Sequence, residues 1–171
     1  EVDMMNGATR TEAFRQLNPN GKVPVLQIDE HTCLFESDAI LYYLAEGTPL
    51  LPTDRLSRAR VLQWMFFEQY SHEPNIAVAR FILQFVKHPD DPRLPEKTAG
   101  SYRALDVMET HLATRTYFVD EQYTIADIAL YAYTHVADEA NLDLGRYPAI
   151  RAWLARVKAQ PRHIEMPGVN E

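Results

Sequence analysis

Asn18–Leu26, NPNGKVPVL, is the stretch that decides the fold. Asn18-Pro19 and Asn20-Gly21 are turn punctuation. Pro24 is of another kind. It stands between Val23 and Val25, where Val25, Leu26 and Ile28 read as the entry to a β-strand. Proline cannot donate to a ladder and is confined to strand ends, edges and bulges. A proline at that position raises the question of what the backbone beside it pairs with, if not another strand.

The bulk numbers narrow the answer. The chain has 171 residues and is 46% hydrophobic, enough for one ordinary domain or two small ones. Its formal net charge of -7 argues against nucleic-acid and anionic-membrane partners, which need a basic footprint. No apolar run approaches the roughly 20 residues that span a bilayer. A single cysteine, Cys33, permits no intrachain disulfide and favours a reducing, cytoplasmic compartment. Cys33 has no CxxC partner and no helix start at its sulfur, so it reads as a small buried residue rather than a nucleophile. The six histidines are scattered, with no i, i+4 pair and no HExxH, and no metal site is expected. The opening EVDMMNG has neither the charged nor the apolar region of a signal peptide and reads as the tail of a strand.

Along the chain, Thr9–Leu17 is helix-tolerant. Val25–Ile28 and Thr32–Phe35 make a candidate hairpin about Asp29-Glu30. Ser37–Glu46 has helical spacing and stops at Gly47, a usual residue just past a helix end. TPLLPTD, Thr48–Asp54, reads as a connector, and everything beyond it as helical. Leu56–Val86 is expected as one long helix interrupted at Pro74, followed by helices over Glu96–Leu112, Thr124–Ala137 and Tyr147–Ala159. Trp64 and Trp153 read as core; Met65, Phe66 and Phe67 as core or subunit interface. Thr124-Ile125-Ala126-Asp127 is a capping box with Asp in the usual Glu/Gln place, and Tyr123 and Ile128 sit where a hydrophobic staple packs. That motif is folding chemistry.

Three signals occur in order: the Asn18–Leu26 stretch, Phe35-Glu36-Ser37-Asp38-Ala39-Ile40 opening a helix, and the Thr124–Asp127 box. Together they resemble the soluble glutathione transferases of bacterial type, as does YPAIRAWLARV, Tyr147–Val157. The resemblance covers essentially the whole chain. It implies a partial thioredoxin-like N-terminal domain followed by an all-helical C-terminal domain. Residues 1–47 would be the end of the glutathione-binding domain, 48–55 a linker and 56–171 the helical domain. Family members begin with a strand–helix–strand unit of about 30 residues, which carries the catalytic Tyr, Ser or Cys and would precede Glu1. The catalytic residue is therefore unknown. The natural chain is expected to be longer, and one starting at Glu1 to expose strand edges and be poorly soluble.

The resemblance also answers the opening question. It implies a cis Pro24, which turns Val23 out of ladder pairing and leaves its N–H and C=O for the cysteinyl unit of glutathione. Ser37, at the N-cap of the next helix, would donate its hydroxyl to the γ-glutamyl carboxylate, a site that unpaired helix-start amides favour. Glu36 would pair with the γ-glutamyl ammonium and Lys22 with the glycine carboxylate. Tyr70 and Arg80, near His72, Asn75 and the Pro74 interruption, are the candidates for the electrophile pocket. The implied activity is conjugation of the glutathione thiolate to a small hydrophobic electrophile, a detoxification chemistry, by a homodimer. Two rivals stand beside it: glutathione-dependent disulfide or peroxide reduction on the same site, and a non-catalytic binding protein. The latter would show a degraded Glu36 or Ser37, which this sequence does not.

Overall fold

The computed structural model describes residues 2–4 and 6–164. They divide into two compact units, Glu1–Thr48 and Pro49–Glu171.

The first unit is built around a turn and a hairpin. After a short 3-10 turn, Ala8–Arg10, helix α1 spans Glu12–Leu17, and its N-cap Thr11 accepts the Phe14 N–H through its hydroxyl. Asn18 ends that helix and organises the turn leading to Lys22. It is 1% exposed, its Nδ2 donates to the Lys22 carbonyl at 2.7 Å, and its Oδ1 accepts the Asn20 N–H at 3.0 Å. Strands β1 (Val25–Gln27) and β2 (Cys33–Phe35) pair antiparallel in the register Val25–Phe35, Leu26–Leu34, Gln27–Cys33. The connecting turn is pinned by Asp29, whose Oδ1 accepts the His31 N–H at 2.8 Å. Helix α2, Ser37–Ala45, comes directly after β2 and ends before Gly47, which takes a left-handed φ of 75°.

The second unit is all-helical among the described residues. Helix α3 (Arg55–Phe67) runs through a π-turn, Glu68–His72, into α4 (Glu73–Phe81) and a second π-turn, Ile82–Val86. Pro74 thus lies in the first turn of α4, where its missing N–H is tolerated, and the irregularity falls just before it. The Glu73 N–H donates to the Glu68 carbonyl, and Asn75 Nδ2 takes the Ser71 carbonyl at 2.7 Å. The chain widens by one residue instead of breaking. Asn75 also fixes how closely α5 (Leu94–Leu112) approaches: a β-carbon on Gly100 would lie 2.1 Å from Asn75 Oδ1.

Helix α6 spans Ile125–Thr134, shorter than the expected Thr124–Ala137. Thr134, at its end, donates its hydroxyl back to the Leu130 carbonyl at 2.6 Å, and Ala137–Ala140 form a separate 3-10 turn. Helix α7, Pro148–Lys158, closes the unit. The core is Val61, Met65, Ile76, Leu105, Leu130 and Trp153, none more than 1% exposed. Phe66 is not part of it, at 67% exposed, because one helix face cannot bury three consecutive apolar residues.

Candidate functional site

Antiparallel pairing brings the entry of β1 beside the exit of β2. Val25 pairs with Phe35 in the last rung, so Val23 and Pro24 lead into that end of the hairpin and Glu36 and Ser37 lead out of it. The Val23–Pro24 peptide is cis. Val23 is 38% exposed, and neither its N–H nor its carbonyl has a hydrogen-bond partner among the described residues. Lys22, on the same approach, is exposed, with its carbonyl held by Asn18.

Across from them α2 begins without a side-chain cap. Its N-cap is Glu36 rather than Ser37, and Ser37 is the first helical residue. Glu36 takes φ 70°, a conformation that L residues other than Gly adopt only at a cost of about 1–3 kcal/mol. Neither the Glu36 carboxylate nor the Ser37 hydroxyl has a partner among the described residues. A helix start without a side-chain cap from Glu36, a hydroxyl and a carboxylate without partners among the described residues, and an unpaired extended backbone thus lie at one end of the hairpin. That set can hold a short peptide bearing a carboxylate and an ammonium group. Cys33, half-buried at the far end of β2 opposite Gln27, is not part of it.

The helical unit places the remaining candidates apart. Tyr70 is 87% exposed on the first π-turn. Arg80 is committed elsewhere: its Nε donates to Glu139 Oε2 at 2.5 Å and its guanidinium lies over the Phe85 ring. His72 is fully buried, and its Nε2 meets Thr134 Oγ1 at 2.8 Å. The Thr134 hydroxyl is already donating, so the Nε2 proton belongs to His72. The facing Nδ1 lies 3.8 Å from the Glu68 carboxylate.

Thr124 and Asp127 form a capping box at the start of α6. Asp127 Oδ2 accepts the Thr124 N–H at 2.9 Å and the Thr124 hydroxyl at 3.2 Å. Its Oδ1 accepts the Phe118 N–H at 3.2 Å and the Trp153 indole N–H at 2.9 Å. Burial pushes the Asp127 carboxyl above its ordinary range, against the pull of these donors. The sequence pattern shows the box; nothing in it shows that Phe118 and Trp153 share the same carboxylate. No cluster of metal-binding side chains occurs among the described residues, and none of their helices is long and apolar enough to cross a membrane.

A thioredoxin-like hairpin and helix with a cis-proline at its mouth, followed by an all-helical domain, defines the glutathione transferase fold. Comparison with known proteins agrees. The family described as "Glutathione S-transferase, N-terminal domain" matches residues 1–46, and "Glutathione S-transferase, C-terminal domain" matches residues 64–161. The crystal structure of a glutathione S-transferase from Pseudomonas fluorescens is 55% identical, covers 96% of this chain and 83% of its own, and superposes with a TM-score of 0.93. A glutathione transferase homologue of Drosophila mojavensis with bound glutathione is 28% identical over 94% of this chain and 75% of its own, at a TM-score of 0.82. Disulfide-bond oxidoreductase YfcG of Escherichia coli is 29% identical, covering 94% of this chain and 78% of that protein. The chain belongs to the glutathione S-transferase family.

Proposed function

We propose that the protein binds glutathione at the hairpin mouth and passes its thiolate to a small hydrophobic electrophile. The observation that carries this is the Val25–Phe35 pairing, which leaves the unpaired Val23 backbone and the start of α2, without a side-chain cap from Glu36, at the same end of the hairpin. Val23, held by the cis bond to Pro24, pairs its N–H and C=O with the cysteinyl unit. Ser37 and the α2 amides bind the γ-glutamyl carboxylate, Glu36 the ammonium, and Lys22 the glycine carboxylate. The strained φ of Glu36 fits a residue positioned for a ligand rather than for its own helix. These residues bind and orient; activation of the thiol needs a further donor to the thiolate. Tyr70 remains the candidate for contact with the electrophile, whereas Arg80 is committed to its pair with Glu139.

The protein is a homodimer on this reading. Leu56, Ala59, Gln63 and Phe66 fall at spacings of three and four along one stripe of α3, with Leu56 58% and Phe66 67% exposed. The likeness to a disulfide-bond oxidoreductase supports a second reading, in which the same bound thiol enters disulfide exchange. Conjugation of a chloronitrobenzene against reduction of a glutathione mixed disulfide separates the two.

Calorimetry with glutathione on the intact protein and on Ser37→Ala tests the site. Binding that weakens at least about tenfold, roughly 1.4 kcal/mol, supports it. No binding by the well-folded intact protein overturns it and moves a non-catalytic role to the front.

A further inference from the structure

One side of the His72 ring is satisfied and the other is not. The ring is fully buried. On one side the Thr134 hydroxyl donates to the Leu130 carbonyl at 2.6 Å, so its oxygen accepts from His72 Nε2 at 2.8 Å. On the other side Nδ1 is buried and has no hydrogen-bond partner. The atom it faces is Glu68 Oε1, 3.8 Å away, on a side chain 4% exposed. Buried polar atoms are nearly always paired, and an exception asks for a reason.

A neutral ring with its proton on Nε2 presents a lone pair at Nδ1, and a carboxylate presents only lone pairs. Two acceptors would then face each other in the interior with nothing to join them. Gln69 Nε2 donates to Glu68 Oε2 at 2.8 Å, a bond that suits the carboxylate form. A proton on Nδ1 would turn the facing acceptors into a donor and an acceptor of opposite charge. Glu68 opens the π-turn and His72 ends it, so the pair spans the turn and continues through Thr134 to the end of α6.

The elements round the turn leave the balancing charge to His72. Helices α3 and α5 bury no titratable side chain. Helix α4 brings Glu73 in its first turn, and α6 brings the half-buried Tyr133. Burial pushes the Tyr133 hydroxyl above its ordinary range, Glu73 and then Glu68 push it further, and Arg80 pulls it back. Two acids thus share this part of the unit. Arg80 is already paired with Glu139, on the 3-10 turn after α6. Asp127, the acid of α6, caps the far end of that helix.

We propose that His72 is an imidazolium in the folded protein at neutral pH, donating its Nδ1–H to Glu68, and that the two form a proton-operated latch on the π-turn. With the proton in place, Glu68, His72 and Thr134 are joined in one chain from the turn to α6. Loss of the proton leaves two buried acceptors facing each other, and the tie across the turn is gone. A proton held by the folded pair and not by the unfolded chain adds stability. That stability is lost as the pH rises and the pair gives the proton up. The latch shares no residue with the hairpin mouth and rests on no part of the glutathione reading.

The test is long-range proton–nitrogen correlation NMR on the full chain, labelled at histidine. His72 is picked out among the six histidines by the proximity of its Nε2–H to Thr134. The expected result at neutral pH is a ring protonated on both nitrogens. In Glu68→Gln the new amide can itself donate to Nδ1, and the ring should revert to the neutral form with its proton on Nε2. Raising the pH should then lower the urea midpoint of the native protein relative to that of Glu68→Gln, as the native ring loses its Nδ1 proton. The proposal is overturned by a bare Nδ1 in the native protein at neutral pH, by a ring that stays protonated on both nitrogens in Glu68→Gln, or by a midpoint difference that holds constant while the native ring titrates. Should Glu68→Gln not fold, the native spectrum alone decides.

Discussion

The start of α2 is finished differently from three helix starts of the helical unit. In the helical unit, α3, α6 and α7 each receive a carboxylate on their first amides. Asp54 accepts the Leu56 and Ser57 N–H groups at 3.0 and 2.9 Å. Asp127 closes the α6 box. Glu109, reaching over from α5, accepts the Ala149 and Ile150 N–H groups at 3.0 and 2.9 Å. Helix α2 has no such side chain, and the residue that could have capped it is turned to φ 70° instead. A helix start that is saturated contributes to folding. One left open, at some cost in backbone strain, is available to something from outside.

The largest expected effect tests the saturated side. Asp127→Ala removes the acceptor for four donors at once, in surroundings where Asp127 and Thr124 are fully buried. Buried donors left unpaired cost about 1–3 kcal/mol each, and such losses overlap. We expect about 3–5 kcal/mol off the unfolding free energy, measured by urea denaturation. Asp127→Asn, which keeps one acceptor oxygen, should lose less. A loss under about 1 kcal/mol for the alanine variant would reduce Asp127 to an ordinary cap and erase the contrast with α2.

Much of this contrast is legible in the sequence, and the part that is not has physical reasons. The Asn18–Leu26 stretch and Phe35–Ile40 mark the hairpin mouth because turn chemistry and a strand-entry proline are local signals. The capping box is legible because its spacing is fixed by one helical turn. The φ of Glu36 is not, since no glycine marks it and only the finished hairpin imposes it. Asn18 looks like plain punctuation, yet it is the buried residue that ties α1 to the Lys22 carbonyl. The π-turn at Glu68–His72 is hidden because periodicity reads through a single added residue. The break is sensed at Pro74, but the packing of Asn75 against Gly100 shows where the chain gives way.

A smaller effect, of opposite sign, sharpens the comparison at α2. Glu36→Gly relieves the positive φ and should raise stability by up to about 1 kcal/mol. The same change removes the carboxylate proposed to hold the γ-glutamyl ammonium. Thermal unfolding and glutathione calorimetry on one sample should therefore move in opposite directions. If both fall together, Glu36 belongs to the folding side and α2 is finished like the others.

The smallest effect concerns how each start responds to acid. The Ser57 backbone N–H, then its hydroxyl, hold the Asp54 carboxyl below its ordinary range, outweighing desolvation. The unfolded chain therefore takes up this proton first as the pH falls. The stability contributed is complete above the unfolded value, about 4, and is lost as the pH drops through the lower folded value. Asn caps a helix about as well as Asp without titrating. Asp54→Asn should thus fall less steeply than the native protein in denaturation midpoint below about pH 4. Other carboxylates shifted the same way, Asp29 and Glu121 among them, keep the remaining slope. Ser37→Ala should leave the acid limb where it is, because the α2 start holds its amides for a ligand and draws no folding stability from the Ser37 hydroxyl. A parallel change in both variants would mean that the two helix starts are energetically alike.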